Sequence, residues 1–131
     1  MIENRAIDVA QPDLGVIGGI TEMKKHCDFA NLYDVGVQMH CMAGPILVAA
    51  TLQVEAALPN FVYHEGLSWN RLDEFTRIGE HTDIVPKNGY YDIPERPGIG
   101  QELSELAIAE SERITVPWLV DSCFLCRDQF F

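Results

Sequence analysis

A chain of 131 residues with 47% hydrophobic and 22% charged residues has the size and composition of one folded domain, which excludes an intrinsically disordered chain. Nine basic against twenty acidic residues leave a formal charge of −11, split as −5 over residues 1–66 and −6 over residues 67–131. No basic patch remains to hold a phosphate backbone, so nucleic acid is excluded as a partner. The longest apolar stretch, residues 42–52, is interrupted by Gly44 and Pro45 and falls short of the roughly 18 residues a membrane span requires, so no membrane partner is expected.

In chain order, residues 6–10 read as a short strand closed by Gln11-Pro12-Asp13, since proline and the polar residue after it punctuate a strand end. A helix is expected to begin near Thr21, a good N-cap following the Gly18-Gly19 turn. Ile20, Met23, Cys27 and Ala30 recur at helical spacing, with Lys24, Lys25 and Asp28 on the other side, the pattern of a helix covering a sheet. Residues 35–39 form a second strand that delivers His40 to its end. The next helix opens at Gly44-Pro45-Ile46, where proline's missing N–H does no harm, and runs to Leu58. It is apolar on nearly every face, so it is expected to be buried. Residues 60–64 form a third strand with Glu65-Gly66 at its tip. Strands alternating with helices predict parallel pairing and an α/β fold.

Beyond Gly66 the character changes, dividing the chain into residues 1–66 and 67–131. Residues 69–83 are polar and irregular, and residues 84–93 suggest a small hairpin turning at Asn88-Gly89. Residues 94–100 are a rigid Pro/Gly-rich connection, followed by a short acidic helix around residues 102–112. An apolar tail containing Trp118, Phe130 and Phe131 ends the chain. Three parallel strands cannot close a barrel, which needs about eight strands and about 250 residues.

Three polar residues stand where apolar strands end: Asp13, His40 and Glu65. Such ends share one rim of a parallel sheet, so residues distant in sequence can converge there. The intervals are 27 (40 − 13) and 25 (65 − 40) residues, each about one strand–helix–strand unit. An Asp beside a His holds the imidazole in one tautomer and raises its basicity, as a general base near neutral pH requires. Taken singly, each has a plainer reading: Asp13 as a turn or cap, His40 as a structural histidine, Glu65 as a solvated loop carboxylate. Gly44-Pro45 either aims backbone N–H groups at an anionic substrate or simply starts a helix. His26 and His81 read as surface residues, and His64 is expected to point away from Glu65.

The four cysteines, Cys27, Cys41, Cys123 and Cys126, in a chain with no visible secretion signal read as reduced thiols of a cytoplasmic protein. Cys123 and Cys126 have Cys-x-x-Cys spacing, but no second pair or nearby histidine completes a zinc site. Hydrolysis by a nucleophile would need Ser68 or Cys41 in an elbow motif that neither occupies.

The run Gln11-Pro12-Asp13, Gly18-Gly19-Ile20-Thr21-Glu22 with Lys25, Tyr33-Asp34-Val35, His40-Cys41, Gly44-Pro45-Ile46, Ala49-Ala50 and Leu52-Gln53 resembles the enolase superfamily. Within it the mandelate racemase and muconate-lactonizing branch is nearest, and galactonate dehydratase-like sugar acid dehydratases look closest. Pro97-Gly98-Ile99-Gly100 is similar to a segment near that family's C-terminus, so the resemblance covers roughly residues 5–103. It implies the C-terminal part of a (β/α)7β TIM-like barrel, strands six to eight, plus a return segment.

The resemblance further implies His40 as the base, Asp13 as the carboxylate of the sixth strand and Glu65 as the acid of the eighth, with Gly44 and Pro45 beside the substrate. It implies Mg²⁺ stabilising an enediolate, with the metal ligands on strands that precede this region. The activity implied is a Mg-dependent, galactonate-like sugar acid dehydratase that removes the proton α to a carboxylate and expels the β-hydroxyl to give a 2-keto-3-deoxy acid. Such a site would need the missing N-terminal half or self-association. The alternative is a non-catalytic remnant or interaction module using exposed sheet edges.

Overall fold

In the computed structural model, which describes residues 1–66, Asp73 and residues 77–111, β1 (Val9–Ala10) and β2 (Gly36–Val37) pair in parallel. Val9 lies opposite Gly36 and Ala10 opposite Val37. The backbone ladder extends past both strands: Gly36, Gln38 and His40 donate their N–H groups to the carbonyls of Asp8, Ala10 and Pro12 at 3.0, 3.1 and 3.0 Å. On the other side of β2, residues 60–62 add a third parallel segment. Val37 donates to the Asn60 carbonyl at 2.8 Å and Val62 donates to the Val37 carbonyl at 2.9 Å. The Asn60 side chain donates to the carbonyls of Val35 and Cys27, tying the start of this segment to β2 and the neighbouring helix.

Three helices link these segments: α1 (Leu14–Ile17), α2 (Ile20–Asn31) and α3 (Pro45–Glu55). Met23, Cys27 and Ala30 of α2 form one buried cluster with Val35, Val37 and Met39 of the central strand region and with Ala50 and Val54 of α3. Met23, Val37 and Met39 are fully buried, each side chain contributing on the order of 1.5–3 kcal/mol by leaving water. α3 buries eight of its eleven residues, as its continuous apolar sequence predicts.

Several features differ from the sequence reading: β1 and β2 have two residues each where residues 6–10 and 35–39 read as strands, and Ile20 is exposed, off the buried face of α2. α1 has only four residues, too few for periodicity to reveal. Its end at Gly18 (φ 109°) runs straight into Gly19 (φ 87°), which caps α2. Both angles favour glycine, and the abrupt turn places the start of α2 at Ile20, so Thr21 is not the cap. α3 stops at Glu55, and two tighter turn bonds, Ala57 to Val54 and Leu58 to Glu55, carry the chain to buried Leu58. The third strand shrinks to a single bridge, Val37 with Phe61, because beyond Val62 the chain leaves the ladder. His26 and His81 are half-buried where exposure was expected. The backbone of His81 is clasped by the Gln101 amide, which accepts its N–H and donates to its carbonyl.

The second half contains the expected hairpin turn. Asn88 (φ 52°) and Gly89 (φ 83°) occupy its centre, and Lys87 and Tyr90 exchange backbone bonds of 2.7 and 3.0 Å, a two-residue type I′ arrangement. Arg96 grips Asp83 with two parallel bonds of 2.9 Å each, holding the Asp83 carboxyl below its ordinary range. α4 (Glu105–Glu110) is capped by Ser104. Ser68, Trp69, Trp118, Cys123, Cys126, Phe130 and Phe131 lie outside the described residues. Among the described residues no helix is long and apolar enough to cross a membrane.

Gly36 sits where the central strand meets the third segment: a Cβ there would lie 2.7 Å from Val62 Cγ2. Gly36→Ala is expected to destabilise the fold by about 1–3 kcal/mol through overpacking, measured by urea unfolding. Adding Val62→Ala, which removes the obstructing methyl groups, should restore most of the loss.

Candidate functional site

The parallel register places the site. Asp13 and His40 form a parallel bridge at the same 27-residue offset as Val9 with Gly36, so the ladder itself sets the two side by side. Asp13 is also the N-cap of α1. Its carboxylate divides its work: Oδ1 accepts the Gly15 N–H at 2.7 Å, and Oδ2 lies 2.6 Å from His40 Nδ1. With an ionised Asp13, Nδ1 is the protonated nitrogen, which directs Nε2 away from Asp13. Nε2 stands 4.0 Å from Glu65 Oε2.

Glu65 reaches this point by a different route. Its Oε2 accepts the backbone N–H of Cys41 at 2.9 Å, so the residue after His40 carries the bond that orients the carboxylate facing it. Asp13, His40 and Glu65 are respectively 18%, 36% and 24% exposed at their side chains, open enough to meet a small molecule. Asp13, His40 and Glu65 thus converge as the strand-end placement predicts.

Gly44 and Pro45 sit four and five residues beyond His40. Gly44 is the extended N-cap of α3, with open space where a Cβ would be. Pro45 is fully buried at the first turn, so it acts through starting the helix and presents no surface to a substrate.

The electrostatics follow from this geometry. The Asp13 hydrogen bond holds the His40 imidazole above its ordinary value; partial burial opposes this, and the charge of Glu65 adds to it. Burial pushes the thiols of Cys27 and Cys41 up to about 11. At neutral pH Cys41 is therefore a buried thiol, and it does not serve as a nucleophile beside His40. Among the described residues no group of three or more His, Cys, Asp and Glu side chains is arranged to hold a metal ion. Both Asp13 oxygens and Glu65 Oε2 already accept hydrogen bonds.

A second acid–imidazole pair was not anticipated from the sequence. Glu55 Oε2 lies 2.7 Å from His64 Nδ1, with side chains only 3% and 9% exposed. Burial pushes the Glu55 carboxyl up, and the His64 bond acts against it. The available signal was Glu55 itself, the single charged residue between Pro45 and Leu58. This pair borders a cavity of about 750 Å³ lined also by Leu52, Phe61 and Tyr91, which does not include Asp13, His40 or Glu65.

A parallel α/β arc with an Asp–His–Glu rim is the kind of segment that a larger α/β barrel contains. The chain belongs to the enolase C-terminal domain-like family, which it matches over residues 1–107. It is 36% identical over 121 residues to a D-xylonate dehydratase of Haloferax volcanii, covering 92% of this chain and 29% of that protein. It is 33% identical over 122 residues to a D-galactonate dehydratase of Cronobacter sakazakii, covering 90% of this chain and 32% of that protein. A solved member of the enolase superfamily from Salmonella Typhimurium superposes with a TM-score of 0.80 at 48% identity, covering 88% of this chain and 29% of that one. The chain therefore spans about a third of the length of these relatives and corresponds to their C-terminal part.

The raised His40 value gives a pH dependence with a definite sign. Stability from its ionisation is fully present below the ordinary 6.5 and is lost as pH rises through the raised folded value. Asp13→Asn keeps an oxygen for Gly15 but turns a donor toward Nδ1. NMR titration is expected to show a lower His40 midpoint in this variant, and its urea stability should fall less over the same pH window.

Proposed function

We propose that this chain carries the proton-transfer half of a sugar acid dehydratase site. The single observation that carries the reading is the Asp13–His40–Glu65 arrangement: an imidazole fixed at Nδ1, with Nε2 directed at a second carboxylate. Similarity to D-xylonate and D-galactonate dehydratases supports an aldonic acid as the substrate class.

In this reading His40 Nε2 takes the proton from the carbon next to the substrate carboxylate. The C–H electron pair moves toward that carboxylate, giving an enediolate. The pair then returns to form a carbon–carbon double bond as the β-hydroxyl leaves, and the proton gained by His40 is delivered to it, so that water departs. The resulting enol becomes the 2-keto-3-deoxy acid. Asp13 holds the imidazole tautomer throughout and stabilises the imidazolium formed in the first step. Glu65 hydrogen-bonds substrate oxygens on the facing side. The backbone at Gly44 lets an anionic group approach the first turn of α3. A general base supplies about 10²–10⁴-fold, so the remaining acceleration comes from groups outside the described residues, including the Mg²⁺ the family is taken to use.

One observation favours the second reading, an interaction module. The third segment presents Phe61, Val62 and Tyr63 at 41%, 47% and 58% exposure, an apolar strand edge suited to pairing with further polypeptide. The two readings are compatible, because the dehydratase site needs such polypeptide to be complete.

The test combines this chain with the remaining N-terminal portion of the Haloferax volcanii relative, supplied as a separate polypeptide with Mg²⁺ and D-xylonate or D-galactonate. Formation of a 2-keto-3-deoxy acid is expected, falling by about 10²-fold or more in His40→Asn. Turnover undiminished in His40→Asn would exclude His40 as the base.

A further inference from the structure

Glu65 is poorly held by the sheet. The ladder between β2 and the third segment ends with Val62 donating to Val37. Were it to continue in the same pattern, Cys41 N–H would go to the His64 carbonyl; it goes instead to the Glu65 side chain. The stretch after Val62 is anchored through side chains: His64 to Glu55 at 2.7 Å, and Glu65 to the Cys41 N–H at 2.9 Å. The His64 ring is bounded on another side by Tyr91, edge-on at 4.9 Å between centroids. The adjoining cavity of about 750 Å³ leaves this stretch room to move if the anchor is lost.

Glu55 is the last residue of α3, a buried rod whose other end starts five residues after His40. A bond from Glu55 to His64 therefore sets the distance between the His40 end of the site and the residue before Glu65. As a source of stability the pair is poor: Glu55 Oε1 and His64 Nε2 are both buried and have no hydrogen-bond partner among the described residues, and such unmet groups offset much of what a buried pair contributes. Fixing a position is what the arrangement does well.

We propose that Glu55 and His64 are positioning residues, which hold Glu65 opposite His40 by tying the tip of the third segment to α3. The proposal deepens the dehydratase reading and rests on it for the role of Glu65, but its test reads the geometry without turnover. The charged and titratable groups facing His40 are Asp13 and Glu65; those facing His64 are Glu55 and Tyr91.

The experiment follows amide exchange of Cys41 and NMR titration of His40 in the full chain. It compares the parent with His64→Phe, His64→Gln, Glu65→Gln and the combination His64→Phe/Glu65→Gln. His64→Phe is expected to speed Cys41 exchange by roughly tenfold or more and to lower the His40 midpoint toward that of Glu65→Gln. His64→Gln, whose amide still donates to Glu55, should stay close to the parent. In the Glu65→Gln background His64→Phe should leave the His40 midpoint where it is, because the charge it displaces is already gone. A folded His64→Phe with both readouts unchanged overturns the proposal, as does an equal midpoint shift with Glu65→Gln already in place. If His64→Phe does not fold, Glu55→Leu/His64→Phe replaces the buried pair by apolar groups and is judged by the same two outcomes. Loss of turnover in any dehydratase assay would not mimic these results, so failure of the functional reading and failure of the positioning role are separable.

Discussion

The central segment around β2 is the constraint on which the rest depends. It is hydrogen-bonded on both sides, to the residues around β1 and to residues 60–62, and its apolar side chains are sealed by α2 and α3. Because parallel pairing fixes register at every rung, placing Gly36 opposite Val9 also places His40 opposite Asp13. The geometry of the Asp13–His40 pair is thus inherited from packing several residues away, where Val37 and Met39 are completely buried. A one-residue slip would move every side chain of the strand to the opposite face of the sheet. The core that forbids such a slip also forbids separating the Asp–His pair.

The two flanks of the central segment solve the same problem by different means. On the Asp13 side the backbone ladder persists up to the site, and α1 begins immediately, so the carboxylate is fixed by both sheet and helix cap. On the Glu65 side the ladder stops early, and side chains take over. This asymmetry suits the proposed proton-transfer reading. The tautomer of His40 requires a short, rigid bond to Nδ1, whereas the group facing Nε2 must leave space for a reacting molecule, consistent with the 4.0 Å separation.

Much of this was legible in the sequence, for reasons particular residues make plain. The helical spacing of Met23, Cys27 and Ala30 exposed α2, and unbroken apolarity exposed α3. Pro12, His40 and Glu65 marked strand ends by breaking apolar runs. What escaped was local or long-range in a way periodicity does not encode. α1 is a single turn set by the Asp13 cap and the two positive-φ glycines. The end of the third strand depends on side-chain bonds that sequence spacing does not reveal. Glu55 did carry a signal as a lone charge in an apolar helix, since a buried carboxylate calls for a partner. Nothing in the spacing named His64, nine residues away, as that partner.

Under the proposed dehydratase reading an acidic chain faces an electrostatic difficulty with an anionic substrate, because Asp13 and Glu65 would repel a carboxylate in the space between them. The local bonds reduce it. Asp13 is met by the Gly15 N–H and the His40 Nδ1–H, and Glu65 by the Cys41 N–H, so each negative charge is partly spent on a fixed donor. Among the described residues of the site His40 is then the group able to carry positive charge, and in the proposed reaction the same carboxylates that raise its proton affinity would hold a proton taken from carbon until it is passed on. The arrangement trades attraction for the substrate against stabilisation of the imidazolium, and the missing attraction has to come from outside the described residues. The chain spans about a third of the length of its relatives, and the proposed reading looks for that attraction in the part of such proteins it does not span.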